Sequence, residues 1–337
     1  WLESGNARKG SVRFSLNDMV EDRLRQTETS RRESRMRTET ESLPNLHVVQ
    51  IRYQGDKRAQ PESDPVDRYA ASGAYNLLGE VTIVEPGFPE DHRDPEPTIN
   101  LGLIGAEIAE AVAAGRRAGK PVMVVGGNCA AVPGVVGGLQ EAHGPTAKIG
   151  LVWFDAHGDF NTPRTTLSGM LGGMPVAVSA GLAYPRWREL SRQAAPLPTD
   201  RILMVEVRNL DPAEEQLVRA TDVVIAAPAP GFPGEDLVQA VQDLAARCDL
   251  IYLHVDSDIL DERYVPNHHT REPNGPSMEQ VLAAIDIVMA TGKVATYAMV
   301  SVWANGEGGE VAVDSGVKLI TGGLESWRRH GSVASAG

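Results

Sequence analysis

The chain has 337 residues, 42% of them apolar, and a net charge of −13. That apolar share supports a substantial core, which excludes disorder over most of the length, and the acidic balance argues against nucleic acid and anionic membrane surfaces as partners. Two cysteines, Cys129 and Cys248, make no disulfide framework. No apolar run approaches the ~20 residues of a bilayer span, and no signal-peptide pattern stands at the start of the chain, so the expectation is a cytoplasmic protein, processed or trimmed ahead of Trp1.

Residues 1–44 are dense in Arg, Glu, Ser and Thr, with few large apolar side chains. Val20 and Leu24 stand at helical spacing after Asn17-Asp18, which predicts a short helix over 17–37 in a charged arm that packs on a neighbour. A single α/β domain is expected over residues 45–330. Apolar runs rich in Val and Ile at 47–53, 121–125, 148–154, 201–206, 222–226, 249–255 and 294–302 read as buried strands. Helix-like stretches lie at 102–118, 131–142, 212–220, 235–247 and 277–291. Asp211-Pro212 and Ser277 supply helix-start signals. Strand and helix in alternation predict a three-layer α/β/α fold around a mostly parallel sheet, with ligands outside the carboxyl ends of the strands.

Two acidic stretches lie at those ends: Asp155-Ala156-His157-Gly158-Asp159 after one run, and Asp256-Ser257-Asp258 after another. On an extended backbone residues i and i+2 face one side, so each stretch aims its polar groups at one point. Carboxylate oxygens and an imidazole suit Mn²⁺ or Zn²⁺, and one or two ions are equally compatible with the pattern. A third turn, Gly126-Gly127-Asn128-Cys129, follows the run at 121–125.

These three turns, in this order, resemble the arginase (ureohydrolase) superfamily over roughly residues 46–325. The resemblance implies two Mn²⁺ ions sharing bridging carboxylates and activating a water that attacks a guanidinium carbon. On it, Asp155 and Asp256 are the bridging carboxylates, His157 and Asp258 complete one site, and Asp159 belongs to the other. The family's histidine in the first turn is here Cys129, whose thiolate suits Zn²⁺ and is a poor partner for Mn²⁺. The stretches 159–163 and 165–174, with Leu171-Gly172-Gly173-Met174, look like the N-omega-hydroxy-arginine amidinohydrolases of D-cycloserine biosynthesis, which also carry Cys in the first turn. Gly172 stands where arginases have a proton-shuttling histidine, which leaves His268 and His269, in the loop after Asp258, as candidates at the mouth of the site.

On the substrate side, the resemblance assigns Asn161 and Ser168 to an α-carboxylate, Asp211 with Glu214 to an α-ammonium, and Thr270 to the guanidine pocket. Arginases end their last strand on a Glu that pairs with the guanidinium. Here Ser301 falls near that position, Glu307 is the nearest acid, and Trp303 offers either a stacking face or a core side chain. Loss of one partner from a buried ion pair costs about 3–5 kcal/mol, so a hydroxyguanidine or another less basic amidine fits better than arginine. The expected activity is metal-dependent cleavage of a linear C–N bond in a small amino acid-like substrate, with Asp159 orienting the water. A single-metal amide hydrolase of deacetylase type and a non-catalytic binding protein are the rivals. By resemblance, the chain is a homo-oligomer, trimer or hexamer.

Overall fold

The computed structural model describes residues 45–77 and 79–332. The arm over 1–44 and its expected helix lie outside the described residues. Eight strands form one sheet: β1 (His47–Ile51), β2 (Thr82–Val84), β3 (Val122–Gly126), β4 (Ile149–Phe154), β5 (Ile202–Val205), β6 (Val224–Ala226), β7 (Leu250–Asp256) and β8 (Val294–Val300). Their spatial order is β2-β1-β3-β8-β7-β4-β5-β6, and every pairing is parallel.

Both faces of this sheet are covered, which makes three layers. Val48, Met123, Val125, Leu253, Val255, Tyr297 and Met299 point into one core. Their alternates Val49, Val122, Val124, Trp153, Tyr252, Ala298 and Val300 point into the other. Period-two alternation of buried side chains to opposite faces is what a doubly covered sheet requires. One layer holds the helices Pro97–Arg117 (α1) and Val132–His143 (α2), the other Leu237–Arg247 (α4), Met278–Met289 (α5) and Gly309–His330 (α6); Pro212–Arg219 (α3) packs with the first group. The starts follow local chemistry. Glu96 accepts from Thr98 N with Pro97 at the first helical position, and Ser277 with Gln280 makes a capping box.

Three features depart from the expectation. The sheet gains β2, a three-residue edge strand too short to show periodicity. The chain gains α6, whose glycines hide its apolar stripe: a Cβ at Gly316 would lie 2.5 Å from Tyr69 Oη and one at Gly323 would collide with the Tyr297 ring at Cε1, so close packing demands them. And α1 is long and apolar enough, by length and composition, to cross a bilayer, yet 67% of its most apolar stretch is buried inside the protein. It serves as a core helix.

The register positions the site. Phe154 pairs with Val255, which sets Asp155 level with Asp256 on the next strand. Met299 pairs with Val125, and the next step is sealed by Ser301 N donating to Gly127 O at 3.1 Å. The turns after β3, β8, β7 and β4, four consecutive strands at the centre of the sheet, therefore converge.

Candidate metal centre and substrate pocket

Each turn has a local cause. Gly126 and Gly127 take φ of +77° and +66°, and a Cβ on the first would lie 2.6 Å from Ile51 O. The reversal they make buries Cys129, after Asn128 has accepted from Ala130 N at 3.2 Å. In both acidic stretches the first carboxylate accepts from the amide two residues on: Asp155 Oδ1 from His157 N at 2.6 Å, and Asp256 Oδ1 from Asp258 N at 3.0 Å. The expected extended alternation is thus replaced by two matching Asx turns, which curl residues i and i+2 toward one point more tightly than a strand does. Asp159 and Ser301 hold left-handed φ of +45° and +62°, strain of the kind concentrated at functional sites. Asp159 is pinned by Val176 N donating to its carbonyl at 3.0 Å.

The converging groups are close. His157 Nδ1 lies 3.3 Å from Asp155 Oδ1 and 3.2 Å from Asp258 Oδ2. His268 Nε2 lies 3.4 Å from Asp256 Oδ1, and its Nδ1 3.6 Å from Asp258 Oδ2. The Cys129 thiol donates to Asp256 Oδ2 at 2.9 Å and stands 3.7 Å from Asp155 Oδ2. Three overlapping sets have ligand atoms near enough to share an ion: Asp155, His157 and Asp258; Asp256, Asp258 and His268; Cys129, Asp155 and Asp256. Asp159, expected as a ligand, joins none of these sets, although it is buried against the same pocket.

The electrostatics call for a cation. Asp155, Asp159, Asp256 and Asp258 are all buried, and among the described residues no Lys or Arg forms an ion pair with any of them. Burial, then the charges of Asp258 and Asp256, pushes the Asp155 carboxyl well above the carboxylate range. Asp159 is raised by burial too. Burial works against Asp258 as well, but the His157 hydrogen bond and the charge of His268 hold it below its usual value. Although burial opposes it, the His157 imidazolium is pushed up to about 12 by its bonds to Asp155 and Asp258. The Cys129 thiol is raised by burial and by Asp256. At Asp155, Asp159, His157 and Cys129 these shifts all favour the protonated form in the absence of a cation. The His268 Nε2 is buried and makes no hydrogen bond. Oxygen and nitrogen donors in this arrangement fit Mn²⁺ or Zn²⁺, and the sulfur at the third set favours Zn²⁺.

A cavity of about 650 Å³ opens above the cluster. Its far wall carries residues expected to hold the amino acid end. Asn161 Nδ2 donates to Asp211 Oδ2 at 3.2 Å, and Leu167 N donates to the same oxygen at 2.9 Å. Ser168 is exposed on the rim, where its Oγ accepts from Met170 N at 3.1 Å. Gly172 lines the cavity, and Ser301 closes its floor 3.9 Å from Cys129 Sγ. Trp303 stands in T-shaped contact with His268 and His269, with ring centroids 4.5 and 5.1 Å apart.

Glu214 accepts from Phe160 N at 2.8 Å on one oxygen and from Asp211 N at 3.1 Å on the other, which braces the turn from its place on the cavity wall. His268 is 3% exposed and sits within the carboxylate cluster, not at the mouth, where only His269 is exposed. Thr270 Oγ1 donates to Asp258 Oδ2 at 3.1 Å. Glu307, the nearest acid in sequence, is exposed and does not line the cavity.

Two site residues were missed. His254 is fully buried, stacked on Trp153 with centroids 4.2 Å apart; its Nδ1 is 2.7 Å from Tyr252 Oη and its Nε2 3.5 Å from Cys129 Sγ. Burial lowers its pKa to about 3, so it is neutral. It stands two residues before Asp256 on the same side of β7, a spacing that was available to find it. Glu272 lines the cavity with its Oε1 3.4 Å from His157 Nε2, and no motif carries it.

Comparison with known proteins agrees with this fold. The sequence model described as the arginase family matches residues 30–311. Arginase of Entamoeba histolytica is 27% identical over 221 residues, 62% of this chain and 74% of that protein. N(omega)-hydroxy-L-arginine amidinohydrolase of Streptomyces lavendulae is 28% identical over 227 residues, 66% of this chain and 74% of that protein. Among solved structures, the Entamoeba histolytica arginase complex with L-ornithine superposes with a TM-score of 0.71 at 19% identity, covering 84% of this chain and 99% of that one. Bacillus subtilis arginase gives 0.70 at 20% identity, covering 83% and 98%.

Proposed function

Since the chain belongs to the arginase family of metal-dependent hydrolases that cleave guanidino C–N bonds, we propose that it cleaves the linear C–N bond of a hydroxyguanidino or similarly weakly basic amidino amino acid. Water is consumed, and an amine and a urea-type product leave. The observation that carries the substrate class is Ser301. The last central strand ends on a buried, uncharged hydroxyl, and no carboxylate follows it before the exposed Glu307. A fully charged guanidinium seated against Ser301 meets no carboxylate from the end of β8, a loss that a hydroxyguanidine, neutral over more of the pH range, tolerates better.

Asp155, His157, Asp256 and Asp258, with His268 and Cys129 beside them, are the residues that would hold the cation, Mn²⁺ at the nitrogen and oxygen donors and Zn²⁺ where the sulfur takes part. When bound, such an ion polarises water and brings its pKa toward ~7. Asp159 is assigned to orient the attacking water and carry its proton. Asn161 and Ser168 take the α-carboxylate, and Asp211, fixed by Asn161 and the Leu167 amide, takes the α-ammonium. Exposed His269 is the remaining candidate for proton delivery at the mouth. A cytoplasmic homo-oligomer in specialised metabolism belongs to the same reading.

The test is ornithine formation from arginine and from Nω-hydroxyarginine by Mn²⁺-loaded protein. The hydroxylated substrate should have the higher kcat/KM, and a preference for arginine would overturn the reading. A second reading, a one-cation amide hydrolase, is favoured by one fact: the Asp155, His157 and Asp258 set is complete without Cys129. Turnover of acyl amides without any amidine cleavage would establish it.

A further inference from the structure

His157 presents its two ring nitrogens to different surroundings. Nδ1 faces Asp155 and Asp258 inside the cluster, while Nε2 faces Glu272 Oε1 at 3.4 Å outside it. A histidine that ligates through one nitrogen carries its proton on the other. A carboxylate accepting that proton's hydrogen bond fixes the tautomer, orients the ring and makes the ligating nitrogen more basic.

Glu272 is held in that place from several directions. Asn209 Nδ2 donates to the same Oε1 at 2.5 Å. The Glu272 carbonyl accepts from Arg208 Nη2 at 3.0 Å. That guanidinium also donates to the carbonyls of Asp258 at 3.0 Å, Ile259 at 3.1 Å and Leu260 at 3.2 Å. The backbone amides of Arg208 and Asn209 both reach Ala156 O, at 2.9 and 3.0 Å. Glu206 Oε1, 3.7 Å from Arg208 Nη1, balances the partly buried guanidinium. Arg208-Asn209 is therefore a bracket between the two acidic turns and the loop that bears Glu272. The resemblance assigns roles in this stretch only to the neighbouring Asp211 and Glu214.

We propose that Glu272 is a positioning residue of the metal site. It holds His157 with Nδ1 turned toward Asp155 and Asp258, and Arg208 and Asn209 hold Glu272 in turn. The inference rests on the reading that Asp155, His157 and Asp258 bind a divalent cation. The two side chains are 21% and 25% exposed, so the pair sits at the pocket edge. Geometry carries more of the effect there than charge alone, because solvent screens the charge.

The experiment is calorimetric titration of the metal-stripped full chain with Mn²⁺, for wild type, Glu272→Ala and Glu272→Gln, beside the melting temperature of each metal-free protein. Glu272→Ala should bind Mn²⁺ about 10–100-fold more weakly. Glu272→Gln, which keeps an acceptor without the charge, should fall between, with metal-free melting unchanged in both. Should the alanine variant fail to fold, the glutamine variant carries the comparison. Wild-type binding with unaltered affinity in the variants overturns the inference and leaves the metal site standing. A lower metal-free melting temperature with unaltered affinity also overturns it and assigns Glu272 to the fold alone. If the wild type itself takes up no cation, the metal reading fails and this inference falls with it.

Discussion

The Cys129 thiol donates to Asp256 Oδ2 across 2.9 Å, with His254 Nε2 behind the sulfur at 3.5 Å. A proton thus lies between two groups that would help to hold a cation. Thiolate ligation requires that proton to leave, which metal binding drives.

Co²⁺-loaded protein should therefore show a sulfur-to-cobalt charge-transfer band in its ultraviolet spectrum, and Cys129→Ser should lose it while keeping cobalt at the set formed by Asp155, His157 and Asp258. An identical spectrum from the serine variant would show that the sulfur stays outside the coordination sphere. Cys129→His should shift preference toward Mn²⁺, read as the ratio of Mn to Zn retained from an equimolar mixture.

The pH dependence follows from the protons held in the cluster. Without a cation, folding raises the pKa of Asp155, Asp159 and His157 above the ordinary values of 3.8, 3.8 and 6.5 at which the unfolded chain releases those protons. The folded state binds more protons, so stability present at low pH is lost as pH rises above those values, through about 12 for His157. Asp258 has the opposite sign: its depressed pKa gives stability above 3.8 that is lost only in stronger acid. Thermal midpoints in chelator should fall between roughly pH 6 and 8.5. With Mn²⁺ in excess they should rise over the same range, because deprotonated ligands bind it. A chelated midpoint that climbs with pH would contradict the assignment.

Asp211 receives two donors, Asn161 Nδ2 and Leu167 N, on one oxygen, Oδ2. Asp211→Asn removes the charge proposed to meet the α-ammonium, an interaction worth about 1.5–3 kcal/mol for a charged hydrogen bond. The expected result is KM raised roughly 10–100-fold with kcat little changed, the signature of lost uniform binding. A fall in kcat at constant KM would place Asp211 in the chemical step instead.

Much of this site could be read in the sequence because its chemistry is conspicuous. Aspartates at the ends of Val- and Ile-rich runs have no place in a core, so the stretches at 155–159 and 256–258 announce themselves. Parallel strands then bring their carboxyl ends to one edge. Residues recruited from a distance did not show. Glu272 reaches His157 only because Arg208 and Asn209 pin the loop that carries it, and loop paths leave no periodic trace. His254 looks like one polar residue in an apolar strand until the register sets it against Trp153 and beside Cys129. Glu214 also braces the turn at Asp211 N, a second role that a carboxylate beside Asp211 does not announce in the sequence.

The most direct test is elemental analysis of the purified full chain beside its Asp155→Asn variant, after both are dialysed free of loose ions. The convergence of Asp155, His157, Asp256 and Asp258 predicts at least one equivalent of Mn or Zn per wild-type chain, with most of it gone from the variant. A wild-type chain that retains no divalent metal, or a variant that retains as much, would contradict the account.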